Sequence, residues 1–261
     1  MTSFQERFGP WAVVTGASDG IGKEIAIELA TRGLNLVLVA RRLERLDALA
    51  TQLTAAHGIE TLTVEADLAQ QSERHKLVQV TDALDVGLIV PAAGFGTSGV
   101  FADADIAEEI NMVHVNCIAV MELVYTFVPR LLARGHGAIV FISSLVAFQG
   151  VARAANYAAT KAYIQSLAEG LRLELGPHGI DVLSSAPATV RTGFAERANM
   201  NMSTAASASV VAKATVNAIG KRGTIRPGLA AYLLELSLKL PRWARARIMS
   251  QVMRSMTAYQ P

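Results

Sequence analysis

The residues with most chemistry available to them lie past the middle of the chain, in Tyr157-Ala-Ala-Thr-Lys161. On a helix, residues four apart share a face, so this phenol and this ammonium can meet above one bound molecule. A free tyrosine has a pKa near 10 and is a poor base at neutral pH. An ammonium about 4 Å away, at an effective dielectric near 20, is worth roughly 4 kcal/mol, or about 3 pK units. One lysine is therefore expected to bring the tyrosine within reach of proton exchange with an alcohol near neutral pH. That exchange is what a carbonyl/alcohol redox step needs beside hydride transfer. Alone, such a pair is usually surface decoration, so its neighbours decide its meaning. Ser143 and Ser144 end an apolar run, and because strand side chains alternate faces only one of them can point inward. Asn116, in His114-Val-Asn-Cys-Ile118, sits in a long apolar helical stretch, where a buried amide is costly unless it is bonded. By itself it reads as a satisfied core polar residue.

A second cluster suits phosphate. The first apolar run leads into Thr15-Gly16-Ala17-Ser18-Asp19-Gly20-Ile21-Gly22, and a helical segment opens at once. Gly16 permits a sharp turn, Gly20 lets backbone approach a pyrophosphate, and Gly22 lets helix pack closely on sheet. The amides and positive end of that helix then face the phosphates. After the second run, Arg41 follows Ala40. A dinucleotide with a free ribose 2′-hydroxyl prefers an acid at that point, whereas a 2′-phosphate prefers an arginine. A charge-assisted contact there is worth about 1.5–3 kcal/mol. Asp67, followed by Leu68, reads on its own as a helix N-cap.

Elements must hold these residues in place, and their pattern is regular. Apolar, β-rich runs at 11–15, 35–40, 60–64, 87–91, 137–142 and 180–185 alternate with periodic stretches at 21–32, 42–56, 70–83, 106–133 and 157–175. This predicts an α/β doubly wound Rossmann fold, a parallel sheet with helices on both faces, formed by residues 1–261 as a single domain. The composition agrees, with 51% hydrophobic and 18% charged residues. A formal net charge of +2 gives no reason to expect a nucleic-acid partner. Cys117 is the single cysteine and the five histidines are scattered, so neither a disulfide nor a metal site is expected. The N-terminal residues lack a secretory pattern, and the apolar stretches look interrupted short of the ~18–20 residues that span a bilayer. A soluble cytoplasmic protein is expected.

Several of these segments together resemble the classical short-chain dehydrogenase/reductase family. Thr15 to Gly22 is similar to its TGxxxGIG motif, and Ser144 stands at the family's spacing before Tyr157 and Lys161. The resemblance implies catalytic roles for Asn116, Ser144, Tyr157 and Lys161, with Asn116 bonding a water beside the lysine. It also implies adenine contact by Asp67 and Leu68, and dinucleotide contact by Ala93, Gly94, Tyr157 and Lys161. The segment Pro187-Ala-Thr-Val-Arg-Thr192 is similar to the family's PGxxxT, so Pro187, Val190 and Thr192 are expected at the nicotinamide. The implied activity is hydride transfer between NADP(H) and a small-molecule carbonyl/alcohol pair, in a homodimer or homotetramer. Two departures stand out: Pro91-Ala-Ala-Gly94 replaces Asn-Asn-Ala-Gly, removing amides that brace that turn, and Ala188 replaces a glycine. Asp19 stands where many NADP-dependent relatives carry a base. An NAD-dependent alcohol dehydrogenase and a non-catalytic nucleotide-binding module are the competing readings; the intact Ser, Tyr and Lys weigh against the second.

The remainder, 193–261, reads as a substrate loop (Gly193 to Ser207) and a C-terminal helical tail. In the tail, arginines accompany Trp243, Ile248, Met249, Val252, Met253 and Met256 at helical spacing. Such a basic amphipathic helix lies on a membrane surface in some proteins. More often it packs on its own core or on a partner subunit.

Overall fold

The computed structural model of the protein describes residues 3–198, 200, 205–228 and 239–257. Its centre is a sheet of β1 (Trp11–Thr15), β2 (Asn35–Ala40), β3 (Thr61–Glu65), β4 (Val86–Pro91), β5 (Gly137–Ile142) and β6 (Ile180–Ser185). A two-residue edge strand, β9 (Thr224–Ile225), completes it, and β7 (Val190–Arg191) pairs separately with β8 (Ala206–Ser207). The order is β3-β2-β1-β4-β5-β6-β9, and every pairing is parallel. All six predicted strands are present, with ends shifted by at most one residue. The seventh, two residues long at the edge, has no hydrophobic period to betray it.

The strands are continuous apolar runs because both faces are covered. Val14, Leu36, Leu38, Leu88 and Val140 point to one side, where α2 (Gly20–Ala30), α3 (Leu43–His57) and α9 (Ala208–Ala218) pack. Their neighbours Val13, Val37, Val39, Ile89, Ile139 and Phe141 point to the other. There lie α4 (Gln71–Val80), α6 (Ala119–Arg134) and α7 (Ala155–Leu175). Chain direction across the sheet reverses between β1 and β4, so the loops leaving their carboxyl ends part and open a crevice.

The predicted helix 106–133 proves to be three pieces in one rod: α5 (Ile106–Val113), a π-helical turn at His114–Ile118, and α6. Contrary to the expectation from sequence, this rod is long and apolar enough to cross a membrane by length and composition, with a mean hydropathy of 1.5 in its best window. Its inner side belongs to the sheet, since Phe127 and Leu131 are fully buried there. On its flank the nearly buried Arg74 donates to Glu122 at 2.6 Å.

Its outer side is unusual. Tyr125 is 80% exposed, and Leu173 on α7 is 79% exposed. Ile106, Ile110, Met121 and Leu132 also lie open. Exposed apolar side chains on neighbouring helices are the kind of surface that partners cover in many proteins, and we propose that a second copy of the chain covers this one. Light scattering on micromolar protein should therefore return a dimer or larger. Tyr125→Glu should shift it toward monomer, and a monomeric wild type would refute the idea.

Candidate active site

A cavity of about 980 Å³ follows the crevice from the first β–α turn to α7. Gly16, Ser18 to Gly22, Arg41, Asp67, Leu68, Ala93, Gly94, Pro187, Val190 and Thr192 all line it, as do Ser144, Tyr157 and Lys161. Asn116 does not.

The glycine turn shows why side chains are excluded. Gly16 has φ of +68°, and a Cβ there would lie 2.9 Å from the backbone of Ala93. At Gly22 a Cβ would meet the Gly16 carbonyl oxygen at 2.5 Å. The turn, helix and neighbouring strand end are thus in backbone contact, and the first amides of α2 open onto the cavity. Asp19 caps α2, its Oδ1 accepting from Gly20 N at 2.7 Å. Its other oxygen lies 3.8 Å from Arg42, which also donates to Ser18 Oγ at 3.1 Å. The carboxylate is therefore engaged at the helix end and by a guanidinium. Arg42 and Arg45 line the cavity beside Arg41, so three guanidiniums gather where the sequence singled out one. Asp67 caps a turn, accepting from Ala69 N at 3.1 Å, but the following helix is capped at Gln70. The expected helix N-cap at Asp67 is therefore displaced by three residues.

The turn after β4 is braced despite its missing asparagines. Thr15 Oγ1 accepts from Ala93 N at 3.0 Å. Asn116 takes both backbone groups of Phe95: Phe95 N donates to its Oδ1 at 3.1 Å, and its Nδ2 donates to Phe95 O at 2.8 Å. The same Nδ2 donates to Thr160 Oγ1 at 3.1 Å, tying this turn to α7 one residue before Lys161. The π-helical turn places Asn116 there. These bonds make Asn116 a brace between loop and helix; Thr15 and Thr160 are partners that sequence reasoning missed.

The two serines divide as alternation requires. Ser143 is buried and donates to Lys161 O at 3.2 Å. Ser144 faces the cavity, heads the 3-10 turn Leu145–Phe148, and accepts weakly from Val146 N at 3.4 Å. Lys161 is 8% exposed, its Nζ donating to Ile142 O at 2.9 Å. Burial pulls its ammonium down to about 8, with a small opposing effect of Cys117. Burial likewise pushes the Tyr157 phenol up to about 12, against a hydrogen bond with Ser144. This corrects the expectation that the lysine lowers the phenol. Nζ lies 5.8 Å from the Tyr157 ring centroid and is occupied by the Ile142 carbonyl, so desolvation governs both groups.

The far wall is apolar. Helix α10 (Arg242–Met256) turns Met249, Val252, Met253 and Met256 into the cavity. Met249 and Met253 are buried against Val146, Val151, Ala154, Ala158 and Met200. The methionine stripe therefore packs on its own chain. Of the expected substrate segment, residues 199 and 201–204 lie outside the described residues, as do 229–238.

The short chain dehydrogenase family model matches residues 10–203, and the chain belongs to that family of oxidoreductases. It is 36% identical over 188 residues to a very-long-chain 3-oxoacyl-CoA reductase of Phaeosphaeria nodorum. That match covers 70% of this chain and 55% of the relative, so the chain spans about half of that relative's length. To the 7beta-hydroxysteroid dehydrogenase of Clostridium sardiniense it is 34% identical over 189 residues, 72% of each protein. Among solved structures, a short-chain dehydrogenase from Sphingobium yanoikuyae in complex with NADPH superposes with a TM-score of 0.79 at 32% identity. That likeness covers 92% of this chain and 95% of the other.

The depressed lysine has a consequence for stability. An unfolded chain holds that proton to about 10.5, the folded one only to about 8. Between those values the unfolded state binds more protons, so stability rises with pH; below about 8 the whole cost of burying the charge is present. Urea unfolding at pH 7 and pH 10 should show the wild type gaining on Lys161→Met by up to about 3 kcal/mol. A pH-independent difference would show that Lys161 is not held down by burial.

Proposed function

We propose that the protein reduces bulky apolar ketones with NADPH, or oxidises the matching secondary alcohols with NADP. The observation carrying this reading is one cavity that has the glycine turn and three guanidiniums at one end and Ser144, Tyr157 and Lys161 at the other. Its volume of about 980 Å³ has room for a dinucleotide and a second molecule. The residues fit the cofactor: the α2 amides suit a diphosphate, and Arg41, with Arg42 and Arg45 beside it, suits a 2′-phosphate. Bound there, NADPH supplies the hydride.

The chain's own groups supply the rest. Ser144 Oγ hydrogen-bonds the substrate oxygen and holds it beside the phenol. Tyr157, whose burial holds the phenol proton up to about 12, gives that proton to the substrate oxygen as negative charge develops. Solvent returns the proton to the resulting phenolate, whose burial makes it a strong base. Asn116 keeps the Phe95 turn and α7 in register. The apolar wall of Val146, Met249 and Met253 sets the class of substrate, in keeping with the acyl and steroid compounds named for the two relatives.

A panel of aliphatic, acyl-thioester and steroid ketones with NADPH, followed at the reduced-nicotinamide absorbance, tests the activity. Turnover of small polyols alone would overturn the apolar assignment. On the best ketone, Tyr157→Phe should lower kcat by about 10²–10⁴-fold with NADPH affinity nearly intact. A variant keeping most of its rate would remove Tyr157 as proton donor.

Cofactor choice is tested separately. NADPH should bind at least about tenfold more tightly than NADH, and Arg41→Ala should erase most of that margin while leaving NADH affinity almost unchanged. Equal affinities in the wild type would make the chain a dual or NAD-dependent enzyme.

A further inference from the structure

Helix α8 is a single turn, Phe194–Arg197, and its ends face different chemistry. The Phe194 ring lies 5.3 Å from that of Tyr157, tilted by 52°. Only a glycine at position 96 allows this, since a Cβ there would meet Phe194 Cζ at 2.6 Å. At the other end the Arg197 guanidinium carbon is 3.5 Å from the centroid of the Phe95 ring, directly after the braced Gly94 turn. Both Phe194 and Arg197 line the cavity.

Arg197 is poorly served by its surroundings. Among the described residues its ion pair, at 3.6 Å, is with Glu108, whose side chain is 52% exposed, so solvent screens the contact. Burial pulls the guanidinium below its ordinary range, and Arg41 pulls the same way; Glu108 and Asp67 oppose them. Arg197 therefore feels both Arg41 and Asp67, residues of the cavity's nucleotide end, although it is carried on the segment that covers the catalytic tyrosine. Guanidiniums that repel each other across a cleft are drawn together by an anion placed between them.

We propose that Arg197 is a phosphate clamp, gripping the dinucleotide from the substrate side so that cofactor binding pins α8 and seats Phe194 over Tyr157. The idea rests on the NADP(H) reading above. It makes the substrate wall conditional on the cofactor: the backbone of this end is tied by Ser98 Oγ donating to Ala198 O at 2.6 Å, whereas the Arg197 side chain is held by the screened Glu108 pair and the stack on Phe95. With phosphate, a bidentate, charge-assisted contact joins the two sides of the cleft. Arg197 is thus a positioning residue for the substrate pocket, acting through Phe194, and a binding residue for the cofactor.

Fluorescence titration of NADPH and NADH into the wild type, Arg197→Ala, Arg197→Lys and Glu108→Gln tests this. Arg197→Ala should weaken NADPH by about tenfold or more, with a shallower salt dependence, and Arg197→Lys should recover only part of the loss. Equal losses for both cofactors place the contact on the diphosphate, and a loss confined to NADPH places it on the 2′-phosphate; either supports the clamp. Glu108→Gln, which frees the arginine, should leave NADPH affinity unchanged or tighter. Amide hydrogen exchange of residues 194–198 should slow on NADPH binding in the wild type and not in Arg197→Ala. If NADPH binds the wild type and Arg197→Ala alike, the clamp is wrong and the NADP(H) reading survives. If the wild type fails to bind NADPH, that reading fails first.

Discussion

A lysine ammonium kept almost out of water is the constraint to which the active site is fitted. Lys161 is buried against the end of β5, where the Ile142 carbonyl accepts its hydrogen bond. A charge in such a place needs neighbours that do not move. Ser143 is bonded to the lysine's own carbonyl, and Thr160 before it receives the Asn116 amide. Asn116 in turn holds Phe95 by both backbone groups. Strand end, π-helical turn, β4 loop and α7 are thereby one bonded unit, and Tyr157 stands on it.

That unit explains how the chain tolerates Pro91-Ala-Ala-Gly94. Bracing that side chains inside the turn would provide comes instead from Thr15 on one side and Asn116 on the other. The loop is held from outside, and small residues within it leave room for the glycine turn, which approaches Ala93 so closely that Gly16 cannot bear a side chain.

The sheet was readable because buried parallel strands are apolar throughout and glycine turns carry a fixed spacing. The Tyr157–Lys161 pair was readable because helical geometry places residues four apart together. What escaped was long-range. No local pattern separates Arg42 and Arg45, which line the cavity, from arginines on a solvated helix face. The methionines of α10 have the period of any packed helix, and their contact with the cavity depends on where the chain returns. The tyrosine–lysine electrostatics were misjudged because spacing reports proximity and says nothing of desolvation, which dominates at both groups.

The methionine wall separates two kinds of change. In the proposed reaction the proton-transfer groups sit on α7 and the end of β5, stiffened by hydrogen bonds, whereas the apolar wall of the cavity comes from a helix near residue 250. Methionine is unbranched and adopts many shapes at similar energy, so Met249, Met253 and Met256 can mould themselves to differing outlines. Such a wall trades sharp discrimination for breadth. Under the proposed activity it would let the substrate range drift by exchanges in one helix, while Ser144, Tyr157 and Lys161 stay untouched.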